Sequence, residues 1–67
     1  MTDKHGIAMT LNNIGLLYHN NKKYKKAQDY YSQSLIIKKE IADLHGEAMT
    51  LNNIGLTYEM QKNTLPQ

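Results

Sequence analysis

Two stretches of sequence decide the fold: DKHGIAMTLNNIGLLY at residues 3–18 returns at residues 43–58 as DLHGEAMTLNNIGLTY. The copies lie 40 residues apart. They differ only where Lys4, Ile7 and Leu17 are replaced by Leu44, Glu47 and Thr57. A period of about 20 to 50 residues is typical of proteins built from stacked structural repeats. The sequence therefore predicts a repeat architecture.

Small and apolar residues fall on one side of a helix in the repeated stretch. With Leu11 at 0° on a helical wheel, the others lie within about 60° of it. They are Ile7, Ala8, Ile14, Gly15 and Tyr18. A strand would require polar and apolar residues to alternate, which residues 11–18 do not do. We predict helices at residues 4–20 and 45–61, and this side is the predicted buried face of the repeated helix.

The segment between the two copies predicts one more helix. Residues 20–23 are polar and suit a tight turn, and small or apolar residues then recur every three or four positions through residues 24–43. Residues 62–67 contain a proline and no periodicity, so we expect a frayed tail there. The predicted fold is all-α, with three antiparallel helices in a single domain over residues 1–67.

The amino-acid composition argues against several classes of function. A chain of 67 residues without cysteine can form one small core, unaided by disulfides or thiolate metal sites. The net charge is +2 and all eight basic residues are lysines, which argues against specific nucleic-acid recognition by arginine. The sequence has no apolar run long enough for a membrane span and no signal-peptide pattern. We expect a cytoplasmic protein.

The repeated stretch also carries a family pattern. LNNIGLLY at residues 11–18, followed by Ala27 and Tyr31, resembles the signature of the tetratricopeptide repeat (TPR) family. Leucine stands at position 11 where the family has tryptophan, Lys39 stands where it has proline, and the 40-residue period resembles a longer-helix subclass. The resemblance covers about one and a half repeats. It implies a right-handed superhelical scaffold that binds proteins or peptides and is not an enzyme.

The glycines predict close helix packing. A glycine inside a helix costs up to ~1 kcal/mol relative to alanine, so a compensating contact is expected. We predict that Gly15 and Gly55 each let the first helix of a repeat approach its partner closely. A large residue at position 55 should then destabilise the helix pair.

The second repeat has no second helix in this sequence. We expect the third helix to leave uncovered an apolar face that carries Leu51, Ile54 and Tyr58, and we predict self-association through it. Twofold packing, exchange of a helix and head-to-tail stacking all stay open, so we predict a homo-oligomer without choosing its form. The alternative is a monomer with a hydrated edge.

The resemblance also implies a ligand surface, because the first helix of each TPR lines a groove in which asparagines grip an extended peptide. The predicted partner-binding residues are Met9, Asn12, Asn13, Leu16, Met49, Asn52, Asn53 and Leu56. Amide side chains offer donors and acceptors together, which suits a peptide backbone. Alternatively, the asparagines bond to one another between repeats. The family's carboxylate clamp is not matched, because Asn12 and Leu16 occupy its positions.

We predict no catalytic residues, no cofactor and no metal site. His5, His19 and His45 are isolated from one another, and the carboxylates lack the grouping that a metal or acid–base chemistry requires. The one basic cluster, Lys22, Lys23, Lys25 and Lys26, could attract an acidic partner or nucleic acid weakly. Another alternative is a structural spacer that binds no ligand inside a larger signalling protein.

Overall fold

Three α-helices follow one another in the computed structural model, which describes residues 3–64. Helix α1 spans Lys4–Asn20, α2 spans Tyr24–Glu40 and α3 spans Leu44–Thr64. No strand is present within this range, and the all-α repeat fold is confirmed. Helix α2 packs on both α1 and α3.

The same aspartate-to-glycine cap begins the two copies of the repeated helix. The Asp3 carboxylate accepts a hydrogen bond from the Gly6 amide at 2.9 Å, and the Asp43 carboxylate accepts one from the Gly46 amide at 3.0 Å. Each bond satisfies an amide of the first turn that has no partner inside the helix. The repeated sequence thus starts both helices in the same way.

The two turns between helices are also alike. After α1, the Lys23 amide bonds to the Tyr18 carbonyl at 2.8 Å, and after α2 the Asp43 amide bonds to the Lys38 carbonyl at 2.9 Å. In each turn a residue other than glycine takes the left-handed conformation, Lys22 at φ 64° and Ala42 at φ 56°. This geometry reverses the chain within three residues and sets consecutive helices antiparallel.

Two predicted helix ends differ from the observed ones. Helix α2 ends at Glu40, three residues before the predicted end at residue 43, because Ala42 leaves the helical conformation. Helix α3 continues to Thr64, so residues 62–64 are helical where we expected a frayed tail. The rest of that tail, residues 65–67, lies outside the described residues.

Small residues and one tyrosine bring α1 and α2 together. Ala8 and Ala27 are fully buried, and a Cβ atom built on Gly15 would lie 2.8 Å from the ring of Tyr31. The Ser34 hydroxyl donates to the Ala8 carbonyl at 2.7 Å. The prediction of close packing at Gly15 is therefore correct: the missing side chain makes room for an aromatic ring.

Helix α3 buries a different face from α1. Thr50 and Thr57 are buried against the other helices, whereas Leu51 and Tyr58 are more than half exposed. Leu51 and Tyr58 therefore lie on an uncovered face of α3, as expected, whereas α2 covers the equivalent face of α1. The reason is helix order: α1 meets α2 after itself in the chain, whereas α3 meets the helix before it, which lies on its other side.

The prediction for Gly55 fails for the same reason. No atom lies within 4 Å of a Cβ built on Gly55, apart from its own helix and chain neighbours. A larger side chain at this position therefore meets open space within the described chain. It should not disturb the contact between α2 and α3.

Candidate functional site

The first candidate surface is the open α3 face, which we define as Ala48, Leu51, Gly55 and Tyr58. All four residues are exposed, with Leu51 at 52% and Tyr58 at 59% of their full accessible area. Of the residues predicted to mediate self-association, Leu51 and Tyr58 lie on this face. The third, Ile54, is half-buried at its edge, where its carbonyl accepts a hydrogen bond from Gln28 at 3.3 Å.

The covered counterpart of this face shows what the open face lacks. In α1 the equivalent glycine, Gly15, is buried beneath the ring of Tyr31, which is 1% exposed. Burial raises the pKa of the Tyr31 phenol, and a hydrogen bond with Thr57 partly opposes the rise. Tyr31 thus packs its ring on α1, and its phenol lies near Thr57 of α3.

The second candidate surface is the asparagine surface, formed by the eight predicted partner-binding residues of α1 and α3. Its apolar members are about half exposed: Met9, Leu16, Met49 and Leu56. Asn13 and Asn52 are exposed. The structure thus leaves six of the eight side chains available to a partner.

The other two asparagines bond to each other. The Asn53 amide donates to the Asn12 carbonyl oxygen at 3.3 Å, and both side chains are partly buried. This bond crosses from one repeat to the next, which is the structural ladder that the sequence left open as an alternative. Asn12 and Asn53 therefore hold α1 beside α3.

A second polar link between α1 and α3 was missed from the sequence. His19 Nδ1 lies 2.7 Å from the Thr57 hydroxyl, which itself donates to the Asn53 carbonyl at 2.8 Å. Because the Thr57 hydroxyl donates its one proton to Asn53, its oxygen is free to accept a bond from the Nδ1–H tautomer of His19. Thr57 replaces Leu17 of the first copy, and this difference between the copies was the available signal.

The profile of the tetratricopeptide repeat family matches residues 6–65. The chain belongs to the tetratricopeptide repeat family. TPR domains are generally protein-interaction modules built by stacking helix pairs, which agrees with the two exposed surfaces. No curated protein and no solved structure matches the chain.

The lysine edge of this TPR chain is exposed but partly engaged. Lys22, Lys23, Lys25 and Lys26 are all on the surface. The Lys26 ammonium lies 5.5 Å from the centroid of the Tyr18 ring, which stacks on Tyr30 at 5.5 Å. Tyr18 therefore contacts both Lys26 and Tyr30 of α2. Binding of an acidic partner or nucleic acid here stays a prediction.

Among residues 3–64, no three His, Cys, Asp or Glu side chains gather in a way that could hold a metal ion. None of the helices in this range is long and apolar enough to cross a membrane.

Proposed function

We propose that this TPR chain is a non-catalytic interaction module that self-associates through the open α3 face. The observation that supports this most directly is the contrast between Gly55, which none of the described residues covers, and Gly15, which a tyrosine covers. An uncovered mid-helix glycine costs up to ~1 kcal/mol relative to alanine with no packing in return. A partner helix on this face would supply the missing contact.

Apolar area on the same face favours burial. Leu51 and Tyr58 are largely exposed on the two sides of Gly55. Burying one such side chain fully contributes roughly 1.5–3 kcal/mol. A contact that covers two of them from each chain can therefore offset a substantial part of the entropy lost on association.

A second copy of the chain fits this face. Gly55 and Tyr58 lie three residues apart, nearly one helical turn, and so point in similar directions. If two α3 helices pack antiparallel about a twofold axis, each Tyr58 ring can lie on Gly55 of the other copy. This contact would reproduce the contact of Tyr31 with Gly15, and it is isologous, so it closes as a dimer.

The test is the solution mass of the chain and of its Gly55→Leu variant, measured by light scattering across a concentration series. We expect the native chain to dimerise with rising concentration. The variant should stay monomeric and equally helical, because a leucine side chain would fill the space that Tyr58 of the other copy needs. Leu56→Ala, on the asparagine surface, is the matched control and should still dimerise. A native chain that stays monomeric throughout would reject self-association.

The asparagine surface supports a second function, capture of an extended peptide. Asn13 and Asn52 are exposed, and the apolar side chains around them are about half exposed. Free amides beside apolar area suit a peptide backbone and its side chains. Asn12 and Asn53 contribute less, because their amides are bonded to each other.

Phage-displayed peptides of about ten residues can test this surface. Peptides selected on the native chain should bind the Asn13→Ala, Asn52→Ala double variant at least roughly tenfold more weakly, since two hydrogen-bonding groups are lost. Asn63→Ala, at the far end of α3, is the control and should bind normally. Equal binding to all three chains would place the peptides elsewhere.

A further inference from the structure

We infer that paired histidines and methionines of α1 and α3 form a binding site for a soft monovalent metal cation, copper(I). We call it the His–Met site, and its four side chains are His5, Met9, His45 and Met49. Binding of a metal ion here depends neither on self-association nor on peptide capture.

The spacing of the two residue types is the first support. HGIAM at residues 5–9 returns as HGEAM at residues 45–49, so a histidine precedes a methionine by four residues in both copies. Both segments are helical. Residues four apart on a helix are neighbours on one face, with Cβ atoms about 5–6 Å apart. Each helix therefore presents an imidazole beside a thioether.

The four side chains are accessible to an ion. Met9 and Met49 are 46% and 53% exposed, and His5 and His45 are exposed as well. Within residues 3–64 neither of these imidazoles takes part in a hydrogen bond, in contrast to that of His19. Their ring nitrogens are therefore available as metal ligands.

The register of α1 against α3 brings the two pairs to the same height. The two helices run in the same direction and are joined by the bond between Asn12 and Asn53. The histidine and the methionine lie seven and three residues before Asn12 in α1, and eight and four residues before Asn53 in α3. A rise of about 1.5 Å per residue places the histidines about 10.5 and 12 Å below this bond, and the methionines about 4.5 and 6 Å below it.

The directions of the side chains bring donors from the two helices towards each other. Residues seven apart differ by about 20° around a helix, and residues four apart by about 40°. His5 therefore points almost the same way as Asn12, which reaches α3, and Met49 points nearly the same way as Asn53, which reaches α1. His5 and Met49 face each other across the two helices, with Met9 and His45 beside them.

The surroundings of Asp43 agree with this arrangement. The Gly46 amide is the main cause of the low pKa of Asp43, and the charge of His5 contributes to it, which places His5 close to the start of α3. The Asp43 carboxylate already accepts the Gly46 amide and lies 3.3 Å from the Lys38 ammonium. It is therefore occupied and does not add a hard oxygen ligand to the His–Met site.

The donor set selects the ion. Thioethers are soft ligands that favour copper(I), and imidazole also binds copper. Zinc in proteins takes thiolate, imidazole and carboxylate ligands, and magnesium and calcium take oxygen. Two imidazoles and two thioethers without a free carboxylate therefore suit copper(I) better than any of these ions.

The test is a titration of the full chain with copper(I) under anaerobic conditions, in competition with the coloured copper(I) chelator bicinchoninate and with ascorbate as reductant. We expect one copper(I) ion per chain. The ¹³C-methyl resonances of Met9 and Met49 should shift on binding. That of Met60 should not, because it has no histidine three or four residues away.

Variants that keep the size of each side chain test the four ligands. His5→Gln and Met49→Leu should each weaken copper(I) binding at least about tenfold, and His45→Gln and Met9→Leu should weaken it less. Met60→Leu is the matched control, because Met60 is also exposed, at 41%, and its loss should leave the affinity unchanged. Circular dichroism should show equal helicity in all of these chains, since the substituted residues are on the surface.

Several results would overturn the inference. One is a chain that takes no copper(I) from the chelator, and another is equal affinity of the Met49→Leu and Met60→Leu chains. Two ions bound independently would reject a site shared between the helices. The Gly55→Leu chain, in which the open α3 face is blocked, should also bind one ion without a change in mass. If its mass doubles with copper(I), the ion links two chains and the site within one chain is rejected.

Discussion

Helices α1 and α3 have nearly the same sequence, yet they bury different faces. In α1 the face around Gly15 lies under Tyr31, whereas in α3 the equivalent face around Gly55 is open and the threonine face is buried. Each helix therefore carries two faces that can pack on a helix of the α2 type. Which face is used depends on whether that helix comes before or after it in the chain.

The largest difference in unfolding free energy between the two faces is expected for the variants Tyr31→Ala and Tyr58→Ala. Tyr31 fills the space above Gly15 and reaches Thr57, so its removal should cost about 3–5 kcal/mol of unfolding free energy. A domain of this size rarely has more than that, so the variant should be largely unfolded. Tyr58→Ala should change the free energy by less than about 0.5 kcal/mol at concentrations where the chain is monomeric. Urea denaturation followed by circular dichroism measures both, and equal losses would contradict the assignment of faces.

A matched glycine pair gives the next largest effect. Gly15→Leu forces a side chain into the Tyr31 ring and should destabilise the fold by about 2–3 kcal/mol. Gly55→Leu meets open space and should stabilise the monomer by up to ~1 kcal/mol, because leucine favours the helix. Urea midpoints of dilute samples measure these two changes in stability, which should have opposite signs. If both variants lose stability, Gly55 is covered in the monomer.

The Asp43 cap makes the stability of the fold depend on pH. The Gly46 amide bond, with help from the nearby charges of Lys38 and His5, holds the pKa of Asp43 below its ordinary value against a smaller opposing effect of desolvation. The unfolded chain therefore takes up this proton first. Stability from Asp43 is present above the ordinary aspartate pKa, about 3.9, and is lost as pH falls through the lower folded-state pKa.

Urea midpoints measured from pH 6 down to about pH 2.5 should show this loss, and Asp43→Asn should make the curve flatter in the acid range. Lys38→Met removes only a secondary cause of the shift, so it should retain most of the slope. An unchanged slope in Asp43→Asn would assign the acid sensitivity to other carboxylates.

The smallest predicted effect concerns the turn between α2 and α3, at Ala42. Ala42 holds a left-handed conformation that costs a residue with a side chain about 1 kcal/mol and costs glycine almost nothing. Ala42→Gly should therefore raise the melting temperature by a few degrees, corresponding to roughly 0.5 kcal/mol after the greater unfolded-state entropy of glycine is included. Ala48→Gly, inside α3, is the control and should lower it. A lower melting temperature in both would mean that the turn is not strained.

Much of the fold could be predicted from the sequence, because helical spacing and the repeat are local signals. The three helices, the turns and the role of Gly15 all follow from them. The face buried by α3 could not be predicted, because a helical wheel gives the same answer for two copies of one sequence. What separates the copies is their neighbours, and residues 11–18 alone carry no information about neighbours.

The polar contacts were the least predictable part of the candidate surfaces. Thr50 and Thr57 are buried, and an apolar pattern does not identify buried hydroxyls. His19 was set aside as isolated because its partner Thr57 lies 38 residues away in sequence. The asparagine surface was predicted from the sequence, but the hydrogen bond between Asn12 and Asn53 could be found only once the arrangement of the helices was known.

The side of the repeated helix that carries Thr10 in α1 and Thr50 in α3 has an evolutionary consequence. Thr10 stands in water and Thr50 stands in the core, and a hydroxyl side chain tolerates both settings better than a large apolar one. A gene that duplicates this 40-residue unit can therefore place the same helix at an end or in the interior of an array without first redesigning its surface. Arrays of this kind can lengthen by copying, and divergence such as Leu17 to Thr57 can follow afterwards.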